Sequence, residues 1–220
     1  MGMDARCPMP TDARFLTLIQ WLSPGFPLGT FSYSHGLECA VTEGRVVTAR
    51  DLQGWLHAVL SHGAGRTDAI LLAEAYRSDA PTDVDALGRA LASSRERLLE
   101  TTAQGEAFCT TVNAVWGTAL PQLSLPVAVG AAARLQNIPL ALTLQAYLHA
   151  LAAGLVSAAQ RAMPIGQVEA QKVLAAVTPL CLTIAERTRS QTLDDLGTCA
   201  FMAEIAAMRH ETLKTRIFRS

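Results

Sequence analysis

The chain has 220 residues, of which 50% are hydrophobic and only 17% charged, and its formal net charge is −1. Soluble domains average about 25% charged residues, so this oily sequence can bury a core, which excludes disorder over most of its length. The near-zero net charge excludes a general polyanion binder, and the length suits one domain better than two.

The dominant period along the chain is helical. Residues 1–11 read as a flexible end, and Asp12 is placed to cap a helix with Phe15, Leu16, Leu18, Ile19 and Leu22 on its apolar face. Met1-Gly2 opens like a myristoylation signal, but Arg6 stands where Ser or Thr is needed, and no secretory leader is visible. Ser23-Pro24-Gly25-Phe26-Pro27 breaks the helix into a loop. A short helix is expected over Ser34–Glu43, stopped by Gly44. Thr48 and Asp51 form a capping box with the shorter acid. Behind it Leu52, Trp55, Leu56, Val59 and Leu60 make a core-facing stripe.

Gly63 and Gly65 weaken that helix, and Asp68–Arg77 continues or succeeds it. A loop over Ser78–Thr82 holds Pro81, and Asp83–Trp116 reads as helical with soft points at Gly88 and Gly105. Pro121, Pro126 and Pro139 divide the middle into short helices, and Gln167–Arg187 is a helix interrupted at Pro179. Leu193–Ala206 is the last apolar helical stretch. No run alternates with period two long enough to be a strand, so the fold class is all-α: one domain, 1–220, of many short helices. Residues 107–160 carry no charge except Arg134 and are expected to form its buried central layer. Their prolines, Asn113, Gln136 and His149 argue against a membrane span.

Several reaction classes are excluded by missing motifs. There is no phosphate-binding G-x-x-x-x-G-K-[ST], no G-x-S-x-G nucleophile elbow, no H-E-x-x-H and no G-x-G-x-x-G. The five cysteines are scattered without a C-x-x-C, which fits a reducing cytoplasm rather than a disulfide framework. No enzymatic activity is expected. His35 and Cys39, four apart, are weak metal candidates because a helix would put them on one side.

Two segments stand out. Residues 209–220 read RHETLKTRIFRS, a basic tail with Arg209, Lys214, Arg216 and Arg219 against Glu211, anchored by Ile217 and Phe218. Such a tail suits docking on an acidic partner protein. Nucleic acid is not expected, because no aromatic platform or basic stripe accompanies the tail. In LSPGFPLGTFSYSHGLE (Leu22–Glu38), prolines and glycines fix a turn that delivers Phe31, Tyr33 and His35 to a helix start. The physics permits either a rigid connector or a preformed surface loop for a partner.

These two segments, with the short MPIGQ (Met163–Gln167) between them, closely resemble the signatures of the UreF family of urease accessory proteins. The resemblance implies an all-α, non-enzymatic chaperone for the nickel centre of urease. It implies a cytoplasmic homodimer that binds UreD (also called UreH), recruits the GTPase UreG and acts on apo-urease. Nickel and GTP would be handled by that complex, with no cofactor held by this chain. Carried over by position, Phe31, Tyr33, Ser34, His35, Gly36 and Glu38 match the first signature. Arg209, His210, Glu211, Arg216, Phe218, Arg219 and Ser220 match the last, while Leu213, Lys214 and Thr215 depart from the usual tail. Two rival readings are a helical metal or ligand carrier built on His35 and Cys39, and a GTPase-activating regulator of UreG using Arg219.

Overall fold

Trp21 fixes how the first helix meets the rest of the chain. In the computed structural model, which describes residues 13–220, its ring meets Phe108 and Trp116 edge-on at 5.4 and 5.6 Å. This turns α1 (Ala13–Leu22) so that Leu18 and Trp21 are buried, while Phe15, Leu16 and Ile19 are 42 to 54% exposed. The apolar face expected for this helix is therefore corrected: half of it points outward. Its expected cap, Asp12, and the flexible end over 1–11 lie outside the described residues.

α2 runs over Leu37–Thr42, three residues shorter at its start than expected. The cause is local: His35 at φ 53° and Gly36 at φ 75° are left-handed, so no helix passes through them. Gly44, at φ 70°, stops the helix as its position predicts. Before α3 (Ala49–His62), the Thr48 hydroxyl accepts the Asp51 N–H at 3.2 Å, and the Asp51 carboxylate accepts the Thr48 N–H at 2.9 Å. The expected capping box is present, and all five stripe residues behind it are buried.

The remaining boundaries follow from prolines and caps. α4 (Ala64–Arg77) begins directly after Gly63. Pro81 lies not in a loop but in the first turn of α5 (Pro81–Ala90), where its missing N–H has no intrahelical partner to lose. Ser94 accepts the Arg97 N–H at 3.0 Å and starts α6 (Arg95–Trp116), so the span 83–116 is two helices rather than one. α7 (Leu125–Leu135) is buried along nearly its whole length and packs most extensively on α4.

A Cβ at Gly130 would fall on the Leu72 carbonyl, and one at Gly105 on the Leu123 carbonyl. Gly105 is thus no soft point but a site of close backbone approach. α8 (Leu140–Ala162) is a long helix, not the short one expected from Pro139, which sits at its N-cap. α9 (Gln167–Thr188) passes through Pro179 unbroken, because Val173, Val177, Cys181, Ile184 and Ala185 bury its inner face around the proline. The last helix, α10 (Phe201–His210), starts later than expected, since Thr192 and Asp195 close a capped 3-10 turn over Leu193–Asp195.

Among the described residues there is no strand, and the fold is all-α around one continuous core. The uncharged middle is its centre: α8 touches α1, α2, α3, α4, α7 and α9. α8 and α9 are long and apolar enough, by length and composition, to cross a membrane. Here α8 buries Leu144, Tyr147, Leu148, Leu155 and Val156 as the core helix of the bundle.

Candidate functional site

Residues 211–220 follow α10 without regular structure and fold back onto their own chain. What holds them is a set of buried acids, Glu38 on α2 and Glu96 and Glu100 on α6. Burial of a carboxylate is unfavourable unless donors surround it, and the tail brings those donors. Glu38 accepts the backbone N–H of Ile217 at 2.7 Å and of Phe218 at 3.0 Å. His210, fully buried at the end of α10, lies with Nε2 3.0 Å from Glu38 and Nδ1 2.7 Å from Glu96. His210 therefore bridges the two acids through both of its ring nitrogens.

Arg216 adds an ion pair to Glu96 at 2.6 Å, and Glu211 accepts the Arg95 N–H at 2.8 Å at the start of α6. Ser220 donates to Glu100 at 3.1 Å, while its carbonyl oxygen accepts the Ser34 N–H at 2.8 Å and the Ser34 hydroxyl. His35 Nε2 stands 2.8 Å from Glu100 on the other side. Burial alone would raise the Glu38 carboxyl, but His210 and the two backbone N–H groups outweigh it and hold it below the usual range. Burial likewise works against the Glu100 charge, and His35, Arg97 and Ser220 reverse it. Glu38 and Glu100 therefore stay ionised where they grip the tail.

Deeper in, Arg97 makes a two-pronged pair with Asp68 at 2.8 and 2.6 Å, and Tyr147 donates to Asp68 at 2.8 Å. Burial would lower the Arg97 guanidinium, but Asp68 and Glu100 more than offset it and hold the charge. At the surface the loop and the tail meet over one cation. The Arg161 guanidinium of α8 lies 3.6 Å from the Phe31 ring centre and 4.3 Å from that of Phe218. It also donates to the Phe31 carbonyl at 2.6 Å. The Arg219 N–H joins the Ser32 carbonyl at 2.7 Å.

The structure thus brings both sequence-identified segments into one surface and sorts their residues into two kinds. Tyr33, Ser34, Glu38, His210, Phe218 and Ser220 are buried and build the join. Phe31, Arg209, Arg216, Ile217 and Arg219 are exposed and are presented by it. The tail, which its sequence suits to docking on an acidic partner, is ordered here against its own chain.

His35 precedes α2 rather than lying on it, so the helical spacing that paired it with Cys39 does not apply. Among the described residues no group of three or more His, Cys, Asp or Glu is placed to hold a metal ion. Cys39, Cys109 and Cys181 are buried, and burial pushes their thiols up, that of Cys181 to about 11.

Sequence reasoning missed Glu96, Glu100, Asp68, Arg97, Tyr147 and Arg161. A signal existed for part of this set: Glu96, Glu100 and Gln104 recur every four residues, a polar stripe on the buried side of α6.

Fold and site together define an all-helical protein in which the chain's two terminal segments interlock over a set of buried acids and present one surface. The UreF family model matches residues 46–178. A urease accessory protein UreF of Roseobacter denitrificans is 52% identical over 219 residues, covering 98% of each chain. Another, from Cereibacter sphaeroides, is 52% identical over 95% of this chain and all of its own. One from Ruegeria pomeroyi is 46% identical over 96% of this chain and 99% of its own. The chain belongs to the UreF family. The matched span 46–178 includes neither terminal signature segment, whereas the alignment with the Roseobacter protein covers 98% of the chain.

Proposed function

We propose that this chain is a non-enzymatic accessory chaperone of urease maturation. It acts in the cytoplasm as a homodimer, together with UreD (UreH) and the GTPase UreG, in the insertion of nickel into apo-urease. In this reading nickel is cargo and GTP is the partner's nucleotide, and this chain contributes surface. The carrying observation is the near full-length identity with accessory proteins of that name. The geometry supports it: the two signature segments interlock through backbone hydrogen bonds and leave Phe31, Arg216, Ile217 and Arg219 exposed above buried Tyr33, Ser34 and Phe218. Aromatic and arginine side chains on a preordered base are the usual anchors of a protein interface.

The test is co-expression with the UreD homologue of the same organism and measurement of the co-purified mass by light scattering. A stoichiometric species with two copies of each chain is expected. A chain that purifies alone at every protein ratio would contradict the reading.

A further inference from the structure

Beneath the tail join lies a cavity of about 80 Å³. It sits between the α3–α4 junction, the start of α6 and α10, and its lining includes exposed Leu91 and Thr198 at the rim. Two buried polar atoms among its lining residues have no hydrogen-bond partner among the described residues: His35 Nδ1 and Ser124 Oγ. Ser124 is only 2% exposed, and although it is the N-cap of α7 its hydroxyl caps nothing. Buried polar atoms are rarely left without partners, so two such atoms on one cavity wall call for an occupant.

The wall also fixes the occupant's charge. Both Asp68 oxygens are taken by Arg97, one of them also by Tyr147. One Glu100 oxygen faces His35 and Gln104, and the other accepts from Ser220. The oxygens of Asp68 and Glu100 are thus engaged inside, the Glu204 carboxylate stands towards the rim where it accepts from Thr198, and the guanidinium of the lining, Arg97, is committed to Asp68 and Glu100. His35 turns Nε2 to Glu100, so Nδ1 accepts in the neutral ring and donates in the protonated one. The Ser124 hydroxyl does either. A primary amide, with N–H donors and a carbonyl acceptor on one small frame, matches both atoms in every state.

We infer that this cavity is a binding site for a small uncharged amide-type molecule. At about 10–15 Å³ for each water-sized occupant, the space holds roughly five to eight such groups. That accommodates a molecule of about four non-hydrogen atoms against the apolar walls of Val59, Leu71 and Ala203. The site shares His35 and Ser220 with the tail join, lies apart from the exposed Phe31, Arg216, Ile217 and Arg219, and is tested on the isolated full chain.

Three probes of equal size separate the charge states: acetamide, acetate and acetamidinium, each titrated while the Ser124 and Ala203 amide resonances are followed by NMR. Acetamide should give saturable shifts, and the two ions none at matched ionic strength. Ser124→Ala should weaken acetamide about fivefold while leaving Tm unchanged, because its hydroxyl holds no bond in the fold. Ala203→Phe should fill the cavity and abolish the response. No saturable shift with acetamide, equal responses to all three probes, or undiminished acetamide affinity in both variants would overturn the inference.

Discussion

Phe218 donates its backbone N–H to the Glu38 carboxylate at 3.0 Å, joining positions 180 residues apart in the chain. Glu38 also faces Ile217 and His210, so one carboxylate holds three points of the tail. Replacing it by alanine leaves two backbone N–H groups without an acceptor and His210 Nε2 without its carboxylate, with Nδ1 still facing Glu96. Glu38→Ala should cost about 3 kcal/mol in equilibrium urea unfolding and make the 211–220 segment cleavable by trypsin in the native state. Glu38→Gln keeps one acceptor oxygen and should fall between that variant and the native chain.

The pH dependence follows from the same acids. Glu38 and Glu100 ionise below their ordinary value of 4.5 in the folded chain, so folding favours their charged forms. Their contribution is fully present above that value and is lost as pH falls through the depressed folded values. Stability measured by urea unfolding should therefore decline below about pH 4.5, and less steeply in Glu38→Gln. An equal slope in the two proteins would show that Glu38 is not a source of the decline.

The exposed side chains should separate binding from folding. Arg219 is exposed and its backbone, not its guanidinium, is tied to Ser32. Arg219→Ala should leave Tm nearly unchanged, yet weaken co-purification with the UreD homologue about tenfold, or ~1.4 kcal/mol. Deleting 209–220 is a poorer probe. It strips donors from Glu38, Glu96 and Glu100 together and removes buried Phe218, so it should lower Tm as well as binding.

The close approach of α4 and α7 gives a prediction away from the site. A Cβ at Gly130 would meet the Leu72 carbonyl, which belongs to helical backbone and cannot turn aside. Gly130→Ala should destabilise the chain by about 3 kcal/mol through forced separation of the two helices, visible as a lowered urea midpoint.

The helical class, the capping box at Thr48 and the stripe behind it were legible because each depends on neighbours within one or two turns. Boundaries set by tertiary contact were not. α9 runs through Pro179 because its inner face is buried, and half of the expected face of α1 is exposed because Trp21 decides its rotation. In the candidate site both signature segments were visible, but the acids that join them were not. Glu38 was read as part of the loop signature, and Glu96 and Glu100 lay unremarked within a helical stretch. Only the fold shows that the tail supplies their missing donors.

The central claim is that this chain serves the loading of urease with nickel. It is tested most directly by metal analysis of urease purified from cells with and without this chain, with the other accessory proteins present and nickel supply held constant. The account predicts that urease made without the chain is largely nickel-free, and that Arg219→Ala restores only part of the metal. Equal nickel content with and without the chain would contradict it.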